Sequence, residues 1–301
     1  MKVDLVHLSA AVADGLRWGA VELEPIRVQC AWPVFKATGF GFEPVFVKVT
    51  DPDAARRTLA FLSGACDVPF LPKAILPEPI PFNGFAVLCL EWKEATRVNA
   101  EDMTDGQFAS FVDACRRLAE TLAGYRGEVT PLSETDAPRV QYDALRSYAL
   151  RHPVVGRILS PLLSIPESEW SYGSRSLVTI HGDLQPKNYG FDGDRLAVVY
   201  DTDDLTQGLA CEDACYAFTE RVRRSELSSA ARRRLTDLFM RFVALSPWPK
   251  DEWLIAVNHA RLRIAARRLE KRPDSLFIVF DIARRDRPLA ALVAALKESS
   301  C

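Results

Sequence analysis

Residues 178–204 restrict this chain more than any other stretch. They read Val-Thr-Ile-His-Gly-Asp-Leu-Gln-Pro-Lys-Asn-Tyr-Gly-Phe-Asp-Gly-Asp-Arg-Leu-Ala-Val-Val-Tyr-Asp-Thr-Asp-Asp. Two apolar, β-branched runs, 177–180 and 196–200, each end in polar and acidic residues, as strands entering a site do. Between them lies Phe191-Asp192-Gly193-Asp194, whose Asp-Gly pair is a hairpin signal. The layout predicts strand, loop, hairpin and strand, with His181, Asp183, Asn188 and Asp201 on one rim. A general base beside two hard oxygen donors is what Mg²⁺-assisted phosphoryl transfer requires.

The rest of the composition narrows the setting. A chain of 301 residues can build one large domain or two lobes. Its net charge of −2 gives no nucleic-acid signature, and no apolar run reaches the ~18–20 residues of a membrane span. Seven cysteines, an odd number without a CxxC pair, indicate neither a disulfide framework nor a zinc knuckle. Cys211 and Cys215 read as packing residues on a helix. Met1-Lys2-Val3-Asp4 has no signal-peptide layout, so a reducing cytoplasm is expected. The oligomeric state is not fixed by the sequence.

After a short amphipathic lead-in over 1–17, the chain becomes strand-like. Val21 to Gln29, Val34 to Ala37 and Val45 to Val49 form an expected antiparallel meander. Lys48 interrupts the third strand; alone, it reads as a solvent-facing strand residue, and beside the 178–204 motif as a phosphate-binding lysine. Asp51-Pro52-Asp53 caps an expected helix over 54–65. A proline-rich connection over 67–83 then leads into a strand at 85–90. The character changes near 91–100, which predicts an N-terminal lobe over 1–92 and a helical lobe over 93–301. Helices are expected over 104–124, 140–150, 154–163, 213–224, 229–245, 251–270 and 274–297, the last broken at Ala283–Pro288. No internal repeat is present.

Asp183 and Asn188 lie five apart behind His181-Gly182, the spacing of the protein-kinase catalytic loop with Gly in place of Arg. Such a loop aims the Asp carboxylate at the acceptor hydroxyl while the Asn amide oxygen reaches a metal. His, Asp and Asn are also ordinary turn residues, but the strand context, the spacing and the downstream Asp201 rarely coincide. His181-Gly182-Asp183-Leu184-Gln185-Pro186-Lys187-Asn188 resembles the H-G-D-L-H-P-x-N signature of the aminoglycoside phosphotransferase and choline kinase family. Val199-Tyr200-Asp201-Thr202-Asp203-Asp204 is similar to that family's I-D-F-x-x-A motif. The resemblance implies a two-lobed α+β protein-kinase-like fold, with a small antiparallel β-rich lobe and a larger helical one. It also implies a kinase moving the γ-phosphoryl of ATP (or GTP) to a hydroxyl of a small molecule. On the matching positions, Asp183 becomes the base and His181 its brace, with Asn188 and Asp201 binding Mg²⁺. Lys48 becomes the nucleotide-phosphate lysine. Leu88, Leu90 and Trp92 fall where the interlobe hinge meets adenine, and Glu212-Asp213 resembles a mainly structural acidic element.

Three departures from the pattern bear on the nucleotide end. Residues 49–77 contain no Glu, and Ala55 stands where the lysine's helix partner is expected, leaving Asp51, Asp53 or nothing for Lys48. The turn Gln29–Pro33 has no glycine and carries Trp32. Gly39 and Gly41 sit too close to Lys48 to be a phosphate loop and read as the turn into its strand. Asp203 and Asp204 can add a metal ligand, bind a cationic substrate or cap the loop; support behind the metal site is the favoured reading, with Asp203 preferred over Asp204 as the one to join the metal. Gln185, in place of the commoner His, is expected to leave the base untouched. The arginines at 221–234 and 261–268 read either as solvated helix faces or as a site for an anionic acceptor, such as a phosphorylated sugar or lipid headgroup. A nucleotide-binding pseudokinase or scaffold is the rival from another class.

Overall fold

The computed structural model describes residues 3–26, 32–129, 137–224, 226–271 and 276–299. In chain order it contains α1 (Leu5–Leu16), β1 (Glu22–Pro25), β2 (Val34–Thr38), β3 (Val45–Thr50), α2 (Pro52–Gly64), β4 (Ile80–Phe82), β5 (Phe85–Glu91) and α3 (Asp105–Gly124). There follow α4 (Pro138–Arg151), α5 (Pro153–Leu163), β6 (Val178–Ile180), β7 (Tyr189–Asp192), β8 (Arg195–Val199) and β9 (Thr206–Gly208). The chain ends in α6 (Glu212–Val222), α7 (Ser229–Leu245), α8 (Lys250–Lys271) and α9 (Leu276–Glu298). It is an α+β fold of two compact units. One comprises Met1–Val98, Gly124–Val129 and Pro186–Asp204; the other comprises Asn99–Ala123, Thr130–Gln185 and Leu205–Cys301.

The first unit is built on an antiparallel sheet in the order β1-β2-β3-β5-β4. β3, Val-Phe-Val-Lys-Val-Thr, is buried along its whole length because it pairs with strands on both sides. Period-2 alternation sends Val45, Val47 and Val49 to the face covered by Leu8 and Val12 of α1. The N-terminal helix is thus a cover for the sheet. Phe46, Lys48 and Thr50 take the other face. Asp51 caps α2, accepting from the N–H groups of Asp53 (2.9 Å) and Ala54 (3.1 Å), with Pro52 in the first helical turn. The proline-rich connection holds a strand the sequence pattern did not reveal, β4. Asn83 and Gly84, both at positive φ (48° and 81°), turn it back onto β5. The β7–β8 hairpin joins this unit: Thr96 and Phe191 exchange backbone hydrogen bonds, and Val199 N–H donates to Phe70. The glycine-free turn expected at Gln29–Pro33 falls mostly on residues 27–31, outside the described residues.

The second unit is helical. Leu145 of α4, Val155, Leu159 and Leu162 of α5, Leu262 and Leu269 of α8 and Ile278 and Ile282 of α9 share one apolar core with Trp170. β6 pairs with β9, so the strand before His181 is anchored beyond the 181–204 stretch rather than to the hairpin. α9 is not broken at 283–288; it runs through Pro288. Arg284 and Arg285 pair with Asp281 one turn back, and Leu289 and Leu292 are buried beyond the proline. Packing on both sides outweighs the one helix hydrogen bond that proline removes. Among the described residues no helix is long and apolar enough to cross a membrane, and Cys66, Cys89, Cys115, Cys211 and Cys215 are free thiols.

Candidate active site

In the first unit the constellation grows from β3 and from the turn after β8. Lys48 is 5% exposed, which removes the solvent-facing alternative. Its ammonium donates to Asp201 and, at 2.7 Å, to Asp203. Asp203 is itself buried. The oxygen that takes Lys48 also accepts from the Thr50 hydroxyl at 2.7 Å, and the other accepts from the Thr58 hydroxyl at 3.2 Å. Thr58 lies on α2, the helix from which a Glu is missing, one turn beyond Ala55. The charge of Lys48 is therefore matched by the Asp201–Asp203 turn, and neither Asp51 nor Asp53 supplies it. Burial works against the ammonium, yet Asp203 and Asp201 outweigh it, so the lysine pKa is raised above its ordinary value.

Asp201 stands at φ +70°, a left-handed conformation rarely adopted by residues other than glycine and costly enough to need support from its surroundings. That support comes from Tyr200. Its ring stacks on Phe46 with centroids 4.4 Å apart, and its hydroxyl accepts from Lys93 N–H at 3.1 Å. Burial pushes the phenol pKa up to about 12. Tyr200 N–H donates to the carbonyl of Asn188 at 2.7 Å, which sets Asn188 opposite Tyr200, the residue before Asp201, at the end of the β7–β8 ladder. One backbone hydrogen bond thus ties the Asn188 strand end to the residue next to Asp201. The oxygen donors of Asn188 and Asp201 are of the hard type that suits Mg²⁺, an ion held by one or two carboxylates plus substrate phosphates. Among the described residues no group of three or more His, Cys, Asp or Glu forms a metal cage. Both oxygens of Asp203 accept from protein donors, the arrangement of a supporting residue.

Leu88 and Leu90 are buried on β5, opposite Lys48 and Phe46 in the ladder and on the same sheet face. Trp92 lies just past the strand. Its indole N–H donates to Glu94 at 2.7 Å, and the Lys36 ammonium sits 4.7 Å from the ring centroid.

In the second unit, His181, Gly182 and Asp183 follow β6. Asp213, in the first turn of α6, accepts from His181 N–H at 2.7 Å and from Gly182 N–H at 2.9 Å, one with each oxygen. Burial raises the Asp213 pKa above the ordinary aspartate value, against the pull of His181 and these two N–H groups. Gly182 is at φ +80°, which a side chain would strain. The fully buried His181 ring accepts at Nδ1 from Asp183 N–H at 3.3 Å, so it braces the loop from inside. Gln185 does reach the expected base: its amide donates to the Asp183 carboxylate at 2.5 Å, because the backbone doubles back from Asp183 to Gln185. Behind Asp213, Glu212 lies 3.6 Å from Nδ1 of the buried His259, and that nitrogen meets the Tyr172 hydroxyl at 3.0 Å. Thr50, Thr58, Gln185 and Tyr200 are the contributors that sequence reasoning missed. A β-strand alternation drawn from Lys48 would have singled out Thr50; nothing in sequence order ties Thr58 to Asp203.

No family model matches the sequence, and no curated protein matches it. Solved structures do. An aminoglycoside phosphotransferase from Alicyclobacillus acidocaldarius aligns over 99% of this chain and 96% of its own, with a TM-score of 0.66 at 13% identity. The chain has the aminoglycoside phosphotransferase fold. A thermostable mutant of another aminoglycoside phosphotransferase, in a ternary complex with ADP and hygromycin B, has a TM-score of 0.59 at 14% identity, covering 96% of this chain and 98% of that one. An amicoumacin kinase in complex with AMP-PNP and Ca²⁺ gives 0.55 at 12% identity, covering 92% and 89%. At such identities the likeness is one of fold: two-lobed, α+β and protein-kinase-like.

Proposed function

We propose that this protein is a small-molecule kinase, transferring the γ-phosphoryl of ATP (or GTP) to a hydroxyl of its acceptor. The observation that carries the reading is the buried Lys48 ion-paired with Asp201, with Asn188 clipped alongside by Tyr200 N–H. A fold shared with proteins solved with ADP and AMP-PNP supports the nucleotide as co-substrate. Lys48 holds the nucleotide phosphates, with Leu88, Leu90 and Trp92 toward the base. Asn188 and Asp201 hold Mg²⁺, which, when bound, neutralises charge on the phosphates. Asp203 keeps the lysine in place. Asp183, oriented by His181 and Gln185, takes the proton of the acceptor hydroxyl. The new bond joins that oxygen to the γ-phosphorus, and the bond from the γ-phosphorus to the bridging oxygen breaks with ADP leaving.

The scaffold alternative rests on the missing helix Glu and the glycine-free turn, and the carboxylates of Asp201 and Asp203 weaken the first of these grounds. The test is Asp183→Ala, assayed for ADP release across a panel of hydroxylated metabolites, antibiotics and phosphosugars. Turnover should be abolished while ATP binding by calorimetry stays within a few-fold of the wild type. Undiminished turnover in the variant would remove Asp183 from the role of base.

A further inference from the structure

The arginines of the second unit divide into two groups. Arg221 grips Glu101 with Nε 3.1 and 3.0 Å from its oxygens, Arg234 donates to the carbonyls of Glu101 and Met103, and Arg261 holds Asp286 at 2.7 and 3.0 Å. These are internal ties with their hydrogen bonds satisfied by protein. A second group, Arg223 and Arg224 just past α6, Arg268 on α8 and Arg284 and Arg285 on α9, crowds around few carboxylates. Arg223 pairs with Glu220, and Arg224 lies 4.0 Å from the same carboxylate. Arg268, Arg284 and Arg285 share Asp281 at 3.4, 2.8 and 2.9 Å. The exposed Glu226 feels the charges of Arg224, Arg221 and Arg285. The ion pairs of these five guanidinium groups thus fall on two carboxylates, Glu220 and Asp281.

The crowding is partly desolvated. The side chains of Arg223 and Arg285 are 14% and 16% exposed, while those of Arg268 and Arg224 keep 33% and 38% open to a ligand. Burial, then Arg285 and Arg223, hold the Arg268 pKa below the ordinary arginine value. Packed like charges of this kind favour a bound anion, and guanidinium forks suit phosphate above all.

The cluster also lies along the helix that starts at the catalytic loop. Tyr216, Glu220 and Arg223 share one face around α6 and its C-cap, at i, i+4 and i+7. The Tyr216 ring carries the Arg263 guanidinium 4.5 Å from its centroid, and its hydroxyl feels the charges of Asp183, Glu220 and Arg223 alike. Seven residues of helix separate Tyr216 from Arg223, roughly 10 Å.

We infer that Arg223, Arg268 and Arg285, with Arg224 and Arg284 around them, form an anion subsite for the acceptor. The acceptor is then a hydroxyl compound with a phosphate or carboxylate on the order of 10 Å from the oxygen offered to Asp183. The subsite itself stands on the arginine geometry; its link to an acceptor rests on the kinase reading above, and the experiment separates the two. The full chain is titrated with inorganic phosphate by calorimetry, as wild type, Arg268→Gln and Arg268→Lys. Phosphate affinity should fall about tenfold in the Gln variant, the scale of one lost charge-assisted hydrogen bond, and be partly restored by Lys. Arg224→Gln, at a more exposed position, replaces Arg268→Gln if the latter does not fold. Phosphate affinities within twofold of the wild type in the Gln variants would overturn the subsite. In a parallel ADP-release assay, hydroxyl compounds are offered with and without a phosphate group. A KM for the phosphorylated member that rises in Arg268→Gln, at constant KM for ATP, supports the proposal. Equal use of neutral or cationic acceptors by wild type and variant overturns it while leaving the kinase standing. Phosphate binding lost in the variants with no acceptor turned over upholds the subsite and sinks the kinase.

Discussion

Asp203 is the residue on which Lys48 depends. Lys48 is buried at the sheet face, and an uncompensated charge there is costly. Asp203 meets it with one oxygen and is itself fixed by Thr50 and Thr58. Asp203→Asn should lower stability by about 3 kcal/mol in urea unfolding, the low end for breaking a buried pair because Asp201 still faces the lysine. It should raise the KM for ATP about tenfold while changing kcat less. A KM equal to that of the wild type would show that Lys48 needs no second carboxylate. Thr58→Val, which removes only one hydrogen bond, should cost about 1 kcal/mol.

Among the elements, α6 has the most to do. Its first turn places Glu212 and Asp213 at the positive end of the helix dipole, where carboxylates are favoured. Asp213 fixes both N–H groups before the base. Asp213→Asn has one oxygen where two are needed, so one buried N–H loses its acceptor. The expected outcome is a kcat reduced tenfold or more with ATP binding unchanged; unchanged kcat would make the brace dispensable. Glu212 joins α6 to α8 through His259. Burial opposes its charge, but the His259 hydrogen bond and charge, the Tyr172 hydroxyl and Arg263 outweigh that, and its pKa lies below the ordinary glutamate value. A carboxylate with a lowered folded pKa stabilises above its unfolded pKa, and that stability is lost as pH falls through the folded one. Melting temperatures followed downward from about pH 6 should therefore drop more steeply for the wild type than for Glu212→Gln. Parallel curves would contradict the network.

At the scale of the molecule, the two compact units draw on alternating parts of the chain, with 186–204 joining the first unit through the β7–β8 hairpin. The chain passes from one unit to the other between Gln185 and Pro186, inside the His181–Asn188 motif. Ligand linkage gives a test for the nucleotide end alone. Mg·ATP at 100 times its Kd should add about 2.7 kcal/mol of stability to the wild type. Lys48→Met should lose most of that increment, and an undiminished increment would take the nucleotide phosphates away from Lys48.

Local patterns sufficed for the strands of the 178–204 region, the Asp192-Gly193 turn, the meander around Lys48 and most helices, because each is set by spacing within a dozen residues. The spacing from His181 to Asp201 also named the candidate base and metal residues. Sequence could not say what faces Lys48. Its partner Asp203 stands 155 residues away, and charges pair by distance in space, which the fold sets. The same holds for the arginines. Runs of them along α6 to α9 look alike in sequence, and only packing separates Arg221, Arg234 and Arg261, bound internally, from the cluster around Asp281 and Glu220. Short-range order made the chemistry legible, while long-range packing decided which side chains balance one another.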